Sequence, residues 1–111
     1  MSDNTARIRE LNDQFRKTLQ GGRVYMTAGV DALDSDVKAM ALRKVATFVD
    51  FTKDNDPWNE HDFGAFELVG MKLFWKIDHY EKGSRLTAGA EHPEDAATTE
   101  RVLTIMLADE Y

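Results

Sequence analysis

Cysteine is missing from all 111 residues, which excludes disulfides, thiolate zinc sites, iron–sulfur clusters and cysteine nucleophiles. No apolar run approaches the roughly 18 residues that a membrane span requires, and residues 1–10 are polar, so neither a span nor a secretory signal is expected. A Walker A loop, Gly-x-Gly-x-x-Gly, Gly-x-Ser-x-Gly and His-Glu-x-x-His are also missing. Serine occurs only at 2, 35 and 84, and Ser35 reads as a helix cap, so phosphate cradles and the common hydrolase nucleophiles lack support. What remains is a single domain over residues 1–111 of an expected cytoplasmic protein, held together by packing and with no cofactor implied. Its 31% charged and 42% hydrophobic residues suit a folded chain better than a disordered one.

Basic charge is scarce in the second half. Residues 1–50 carry eight Lys and Arg against seven Asp and Glu, a balance of +1, while residues 51–111 carry six against thirteen, a balance of −7; together they give the net −6. An acidic half repels phosphate and attracts basic surfaces, which argues against general nucleic-acid binding and allows a basic or nucleic-acid-binding protein as partner.

Ile8, Leu11, Phe15 and Leu19 recur at steps of three and four, predicting a helix over 5–20 that Asn4 or Thr5 caps and Gly21-Gly22 ends. Arg7, Arg9, Arg16 and Lys17 then read as solvated flanks of that helix. Val24 to Thr27 predict a strand within 23–30. Val37, Met40, Ala41, Val45, Phe48 and Val49 predict a second helix over about 36–51, with Asp34 or Ser35 at its start and Lys38, Arg43 and Lys44 on its wet face. Residues 52–59 are dense in turn formers and include Pro57, so they read as a loop.

Alternation resumes after that loop. A two-residue turn at Val69-Gly70 pairs Leu68 with Met71, Phe66 with Leu73, Gly64 with Trp75 and Asp62 with Ile77, which places the large apolar side chains on one face. The other face pairs Glu67 with Lys72, Ala65 with Phe74, Phe63 with Lys76 and His61 with Asp78, and two of these are chemically complementary. Val69 strains this register, because a β-branched residue resists the positive φ of a type I′ turn. After a loop over 83–93, Pro93, Glu94, Asp95 and several helix formers point to a third helix over about 94–109, although the apolar run 102–107 also suits a buried strand. The expected fold is α+β: about three strands, antiparallel or mixed, around a central hairpin, packed with three helices in the order α-β-α-β-β-α.

The strings Glu60-His61-Asp62-Phe63-Gly64-Ala65-Phe66-Glu67, Phe74-Trp75-Lys76-Ile77-Asp78 and Arg101-Val102-Leu103-Thr104-Ile105-Met106-Leu107-Ala108 resemble a small family of uncharacterised proteins found on bacterial plasmids and other mobile elements. Gly22-Arg23-Val24 and Asp54-Asn55-Asp56-Pro57 share the resemblance, which runs from Asn12 to Tyr111. The family is a domain of unknown function, so the resemblance carries no site residues across. It implies a context, namely interference with host defence or plasmid regulation.

Three functional readings follow. The leading one is a non-enzymatic, acidic protein-interaction module, a mobile-element-encoded inhibitor of host defence of anti-CRISPR or anti-restriction type or a plasmid regulator, binding through Trp58, Glu60, Asp62 and Glu67. An exposed Trp58 would anchor a partner, whereas a packed one would anchor its own loop. The second is a metal-dependent or acid–base enzyme in which Asp78 orients His61 or joins it as a ligand. The third binds nucleic acid through Arg7, Arg16, Lys38, Arg43 and Lys44. The predicted last helix is apolar over more of its circumference than one contact needs, which points to a homodimer through Val102, Ile105 and Met106.

Overall fold

The computed structural model describes residues 4–111. Among these, helix α1 (Asn4–Thr18), strand β1 (Gly22–Met26), the single helical turn α2 (Ala28–Asp31), helix α3 (Ser35–Ala46) and strands β2 (Phe63–Leu68), β3 (Met71–Glu81) and β4 (Thr99–Leu107) follow in order, closed by a 3-10 turn at Ala108–Glu110. The fold is α+β, with a four-stranded mixed sheet in the order β1-β4-β3-β2. Strand β1 runs parallel to β4, and the other pairs are antiparallel.

The hairpin keeps the register expected from its alternation, from Phe63 opposite Lys76 to Leu68 opposite Met71. Val69 and Gly70 form its loop with φ of 46° and 77°, so the β-branched residue does sit in the left-handed region. Leu68, Leu73, Trp75 and Ile77 are buried on the inner face, with Phe66 and Met71 partly covered there. Gly64 is required beside Trp75, because a Cβ at that position would lie 2.4 Å from the indole Nε1.

The predicted third helix is instead β4, the centre of the sheet. Leu103 and Ile105 are buried inward, while Val102 and Met106 are buried on the opposite face. A strand covered on both sides loses its alternation and reads as a continuous apolar run, which is why 102–107 resembled a helix. Thr99, Val102, Thr104 and Ile105, all β-branched, suit the pleated conformation, whereas the helix formers Ala96 and Ala97 lie in the turn before it. Val102, Ile105 and Met106 are therefore buried within the monomer's own packing, on a strand rather than on the apolar helix that suggested a dimer.

Two further boundaries differ from expectation. The strand β1 stops at Met26, and the chain turns into α2, which buries Val30. Helix α3 stops at Ala46 rather than near Phe51, and the cause is distant in sequence. Arg16 of α1 is only 2% exposed, and its Nη1 donates to the carbonyls of Val45 (2.6 Å) and Phe48 (2.9 Å), thereby satisfying acceptors at the end of α3. Arg16 is thus not a solvated flank. It lies over the rings of Phe51 and Trp75, and Phe48 packs edge-on against both of them.

Candidate functional site

The candidate residues divide between the two sides of the sheet. On the helical side, α1 buries a polar row as well as its apolar stripe. Asn12 is 0% exposed; its Nδ2 donates to the Glu60 carbonyl at 3.0 Å, and its Oδ1 accepts from Arg101 Nε at 2.8 Å and from His79 Nε2 at 3.0 Å. Because an amide oxygen only accepts, Nε2 of His79 carries the hydrogen. Burial and the Arg101 charge push His79 down to about 4, so the ring is neutral at neutral pH.

Next to it on α1, Asp13 accepts from Arg16 Nη2 at 2.8 Å and from His61 Nδ1 at 2.9 and 3.0 Å. The structure therefore does not join His61 to Asp78. Ladder pairing ends at Phe63, with one further bond from Ile77 N–H to the Asp62 carbonyl, and His61 itself has φ of 55°, which turns the chain towards α1. The imidazole stacks on Phe51 with ring centroids 3.7 Å apart, and its Nε2 is 3.7 Å from buried Asp56. Asp56 in turn accepts the backbone N–H groups of Glu60 and His61, both at 3.1 Å. With its side chain 20% exposed, His61 ties the 47–62 connection to α1 through Asp13. Among the described residues, no three His, Cys, Asp or Glu are grouped to hold a metal ion.

Asp78 belongs to the other side, where it meets Lys76 at 3.1 Å. The core side chains of α1 and α3 pack on the opposite, inner face of the sheet. Phe63, Phe74 and Tyr111 form an aromatic cluster on this outer face, with centroids 5.3–5.8 Å apart. A groove of about 380 Å³ runs beside the cluster, walled by Asp54, Trp58, Asp62, Lys76, Asp78 and Tyr111. A second depression of about 450 Å³ shares Lys76, Asp78 and Tyr111 and extends the surface to Tyr25 on β1. Trp58 and Tyr111 are each 75% exposed, so Trp58 is not packed into its own loop. Burial, followed by the charges of Asp56 and Asp78, raises the Asp62 carboxyl above the ordinary range. Glu60 is raised for the same first reason, with Asp62 and Asp56 adding to it, but it sits on the helical side of the connection within reach of Arg101.

Of the remaining candidates, Glu67 lies at the hairpin tip opposite Lys72, away from the groove. Of the basic residues of the first half, Arg16 is internal, Arg7 is bonded to Glu10 and Lys38 reaches the Asp31 carbonyl at 3.1 Å, while Arg43 and Lys44 are exposed on α3. Among the described residues, no helix is long and apolar enough to cross a membrane. Sequence reasoning missed Asn12, Asp13 and Arg101. The one available signal was a polar Asn12-Asp13 and Arg16 set at the same helical spacing as Leu11 and Phe15.

With this geometry in view, a protein-family profile described as "Protein of unknown function (DUF3768)" matches residues 26–110. The chain belongs to the DUF3768 family. That region contains β2, β3 and β4 but only Met26 of β1, together with Trp58 and the other walls of its groove except Tyr111, whereas α1 with Asn12, Asp13 and Arg16 precedes it. No curated protein and no solved structure matches the chain significantly.

Proposed function

We propose that this DUF3768 protein is a protein-binding module whose contact surface is the outer face of the sheet, and that its partner is basic. The observation that carries the reading is the pair Trp58 and Tyr111, both largely in water, flanking a groove that holds Asp54, Asp62 and Asp78 against a single Lys76. Large aromatics left in solvent have apolar area to bury, and aromatic anchors surrounded by charge are the usual composition of binding hot spots. The acid supplies long-range attraction for a basic partner, consistent with the −7 balance of residues 51–111. The resemblance to proteins of plasmids and mobile elements supports the finer reading that the partner belongs to a host-defence or plasmid-control system.

Affinity capture from a plasmid-bearing bacterial host with wild-type, Trp58→Ala and Asp62→Asn protein tests this. A partner retained by the wild type, released by added salt and lost with Trp58→Ala at unchanged thermal stability supports the proposal. Identical captures with all three proteins, or none at all, count against it. For the finer reading, restriction or phage-plating efficiency is compared in cells expressing wild-type or Trp58→Ala protein; equal efficiency in both and in empty cells removes it.

A further inference from the structure

Arg101 is 3% exposed on the inner side of β4, yet no carboxylate among the described residues is in ion-pair contact with it. Its Nε donates to Asn12 Oδ1 and its Nη2 to the Pro93 carbonyl, both neutral acceptors, and Nη1 has no hydrogen-bond partner among the described residues. His79, sharing the same Asn12 oxygen, adds no negative charge. Buried guanidinium groups are ordinarily matched by a carboxylate in contact, because the desolvated charge is otherwise costly. Glu60 acts on Arg101 only from a distance, while Arg7 adds like charge, and burial holds the guanidinium down at about 10.

This cation lines a cavity of about 320 Å³ between α1 and the start of β4. The walls divide chemically. Leu11, Phe15 and Ala96 supply an apolar side, and Gln14, Thr18 and Thr99 supply amide and hydroxyl groups. Among the described residues no Asp or Glu lines it, in contrast to the outer-face groove with its three aspartates. In a chain of net charge −6, an acid-free cavity built around a buried arginine is a place where an anion meets little opposition. Its size lies at the lower end of small-molecule sites, and its wall sets an apolar side against placed polar groups in nearly equal measure.

We propose that this cavity binds a small organic anion, an oxyanion group on a partly apolar body, with Arg101 holding the oxyanion and Leu11 and Phe15 contacting the body. A carboxylate and a phosphate monoester share the chemistry that Arg101 recognises, since guanidinium forks pair with both. The site lies on the helical side of the sheet and does not depend on the protein-binding surface proposed above.

The test is NMR titration of the full chain at constant ionic strength, with benzoate, phenyl phosphate and the neutral isostere benzamide, observing the Arg101 guanidinium N–H and the amides of Gln14 and Thr99. Saturable shifts with benzoate, phenyl phosphate or both, and not with benzamide, are expected; which anion responds identifies the source of the oxyanion. Arg101→Gln is expected to weaken the affinity about tenfold or more. Should that variant fail to fold, Ala96→Trp at the exposed rim closes the cavity without touching Arg101 and is expected to abolish the shifts. No saturable shift with either anion, equal response to benzamide, or unchanged binding in Ala96→Trp overturns the proposal.

Discussion

His79→Gln should remove a pH dependence that the wild-type protein carries between about pH 6.5 and 4. In the native state the ring gives its Nε2–H to Asn12 beside the Arg101 cation, and burial with that charge keeps it from protonating until about 4. In the unfolded chain the same imidazole protonates near 6.5. As pH falls through this window the unfolded state binds the extra proton, so stability falls with it, by at most about 1.4 kcal/mol per pH unit and about 3 kcal/mol in all. Below about 4 both states are protonated and the loss levels off. Glu60 and Asp62 act in the opposite sense: burial raises both, so the native state holds their protons more tightly and gains stability on acidification. Glu110, held below the ordinary carboxylate range by Thr27 and the Leu107 and Gly29 N–H groups, acts in the same sense as His79. Glutamine supplies an amide N–H for Asn12 without titrating and leaves these acids in place, so the difference between the two proteins isolates the histidine. Urea unfolding followed by tryptophan fluorescence at several pH values from about 7 to 4 measures it. The stability advantage of wild type over variant should shrink by about 3 kcal/mol across that range; parallel curves would refute the reasoning.

Val69→Asn should raise unfolding stability by about 1 kcal/mol in the same urea assay, because asparagine tolerates the 46° φ that valine resists; a loss would show that the turn is relaxed. Gly64→Ala should lower it by about 1–3 kcal/mol, since the added methyl meets the Trp75 indole at 2.4 Å and Phe48 at 2.9 Å. Arg16→Leu should cost about 3 kcal/mol by leaving the Val45 and Phe48 carbonyls and Asp13 without their cation. An effect below 1 kcal/mol there would mean that water replaces the guanidinium at the end of α3.

What the sequence could show was whatever repeats locally. The stripe Ile8, Leu11 and Phe15 and the alternation either side of Val69-Gly70 both appear where they were expected, whereas Leu19 lies past the end of α1 with φ of 59°; a helix or hairpin with one covered face writes its period into the chain. The strand β4 escaped because it is covered on both faces and paired on both edges, which erases the period of two. The end of α3 escaped because Arg16, 29 residues away from Val45, sets it. The His61–Asp78 pairing failed for a related reason. The register that predicts it holds as far as Phe63, but Asp13 and Asp56 then capture the histidine from elements that alternation does not describe. Trp58, in contrast, stood out in the sequence as a large aromatic among turn formers, and it is the most exposed tryptophan a partner could reach.

The polar row on α1 also explains how one small sheet can present opposite chemistry on its two sides. Asn12 accepts from Arg101 and His79 through one atom and donates to the Glu60 carbonyl through another. Glu60 is two residues beyond Trp58, and Asp56, two residues before it, receives the N–H groups of Glu60 and His61. Residues 56–61 are therefore held by backbone acceptors and donors fixed from within, which lets the Trp58 side chain project into solvent from a loop that is itself anchored. The same bonds fix Arg101 under α1 through a neutral amide rather than a carboxylate. Substituting an acid for Asn12 would neutralise that cation internally, whereas the amide orients the guanidinium without placing a carboxylate in contact with it. Asn12 thus lets the protein keep acid at the outer groove and an available cation on the helical side within one packed core.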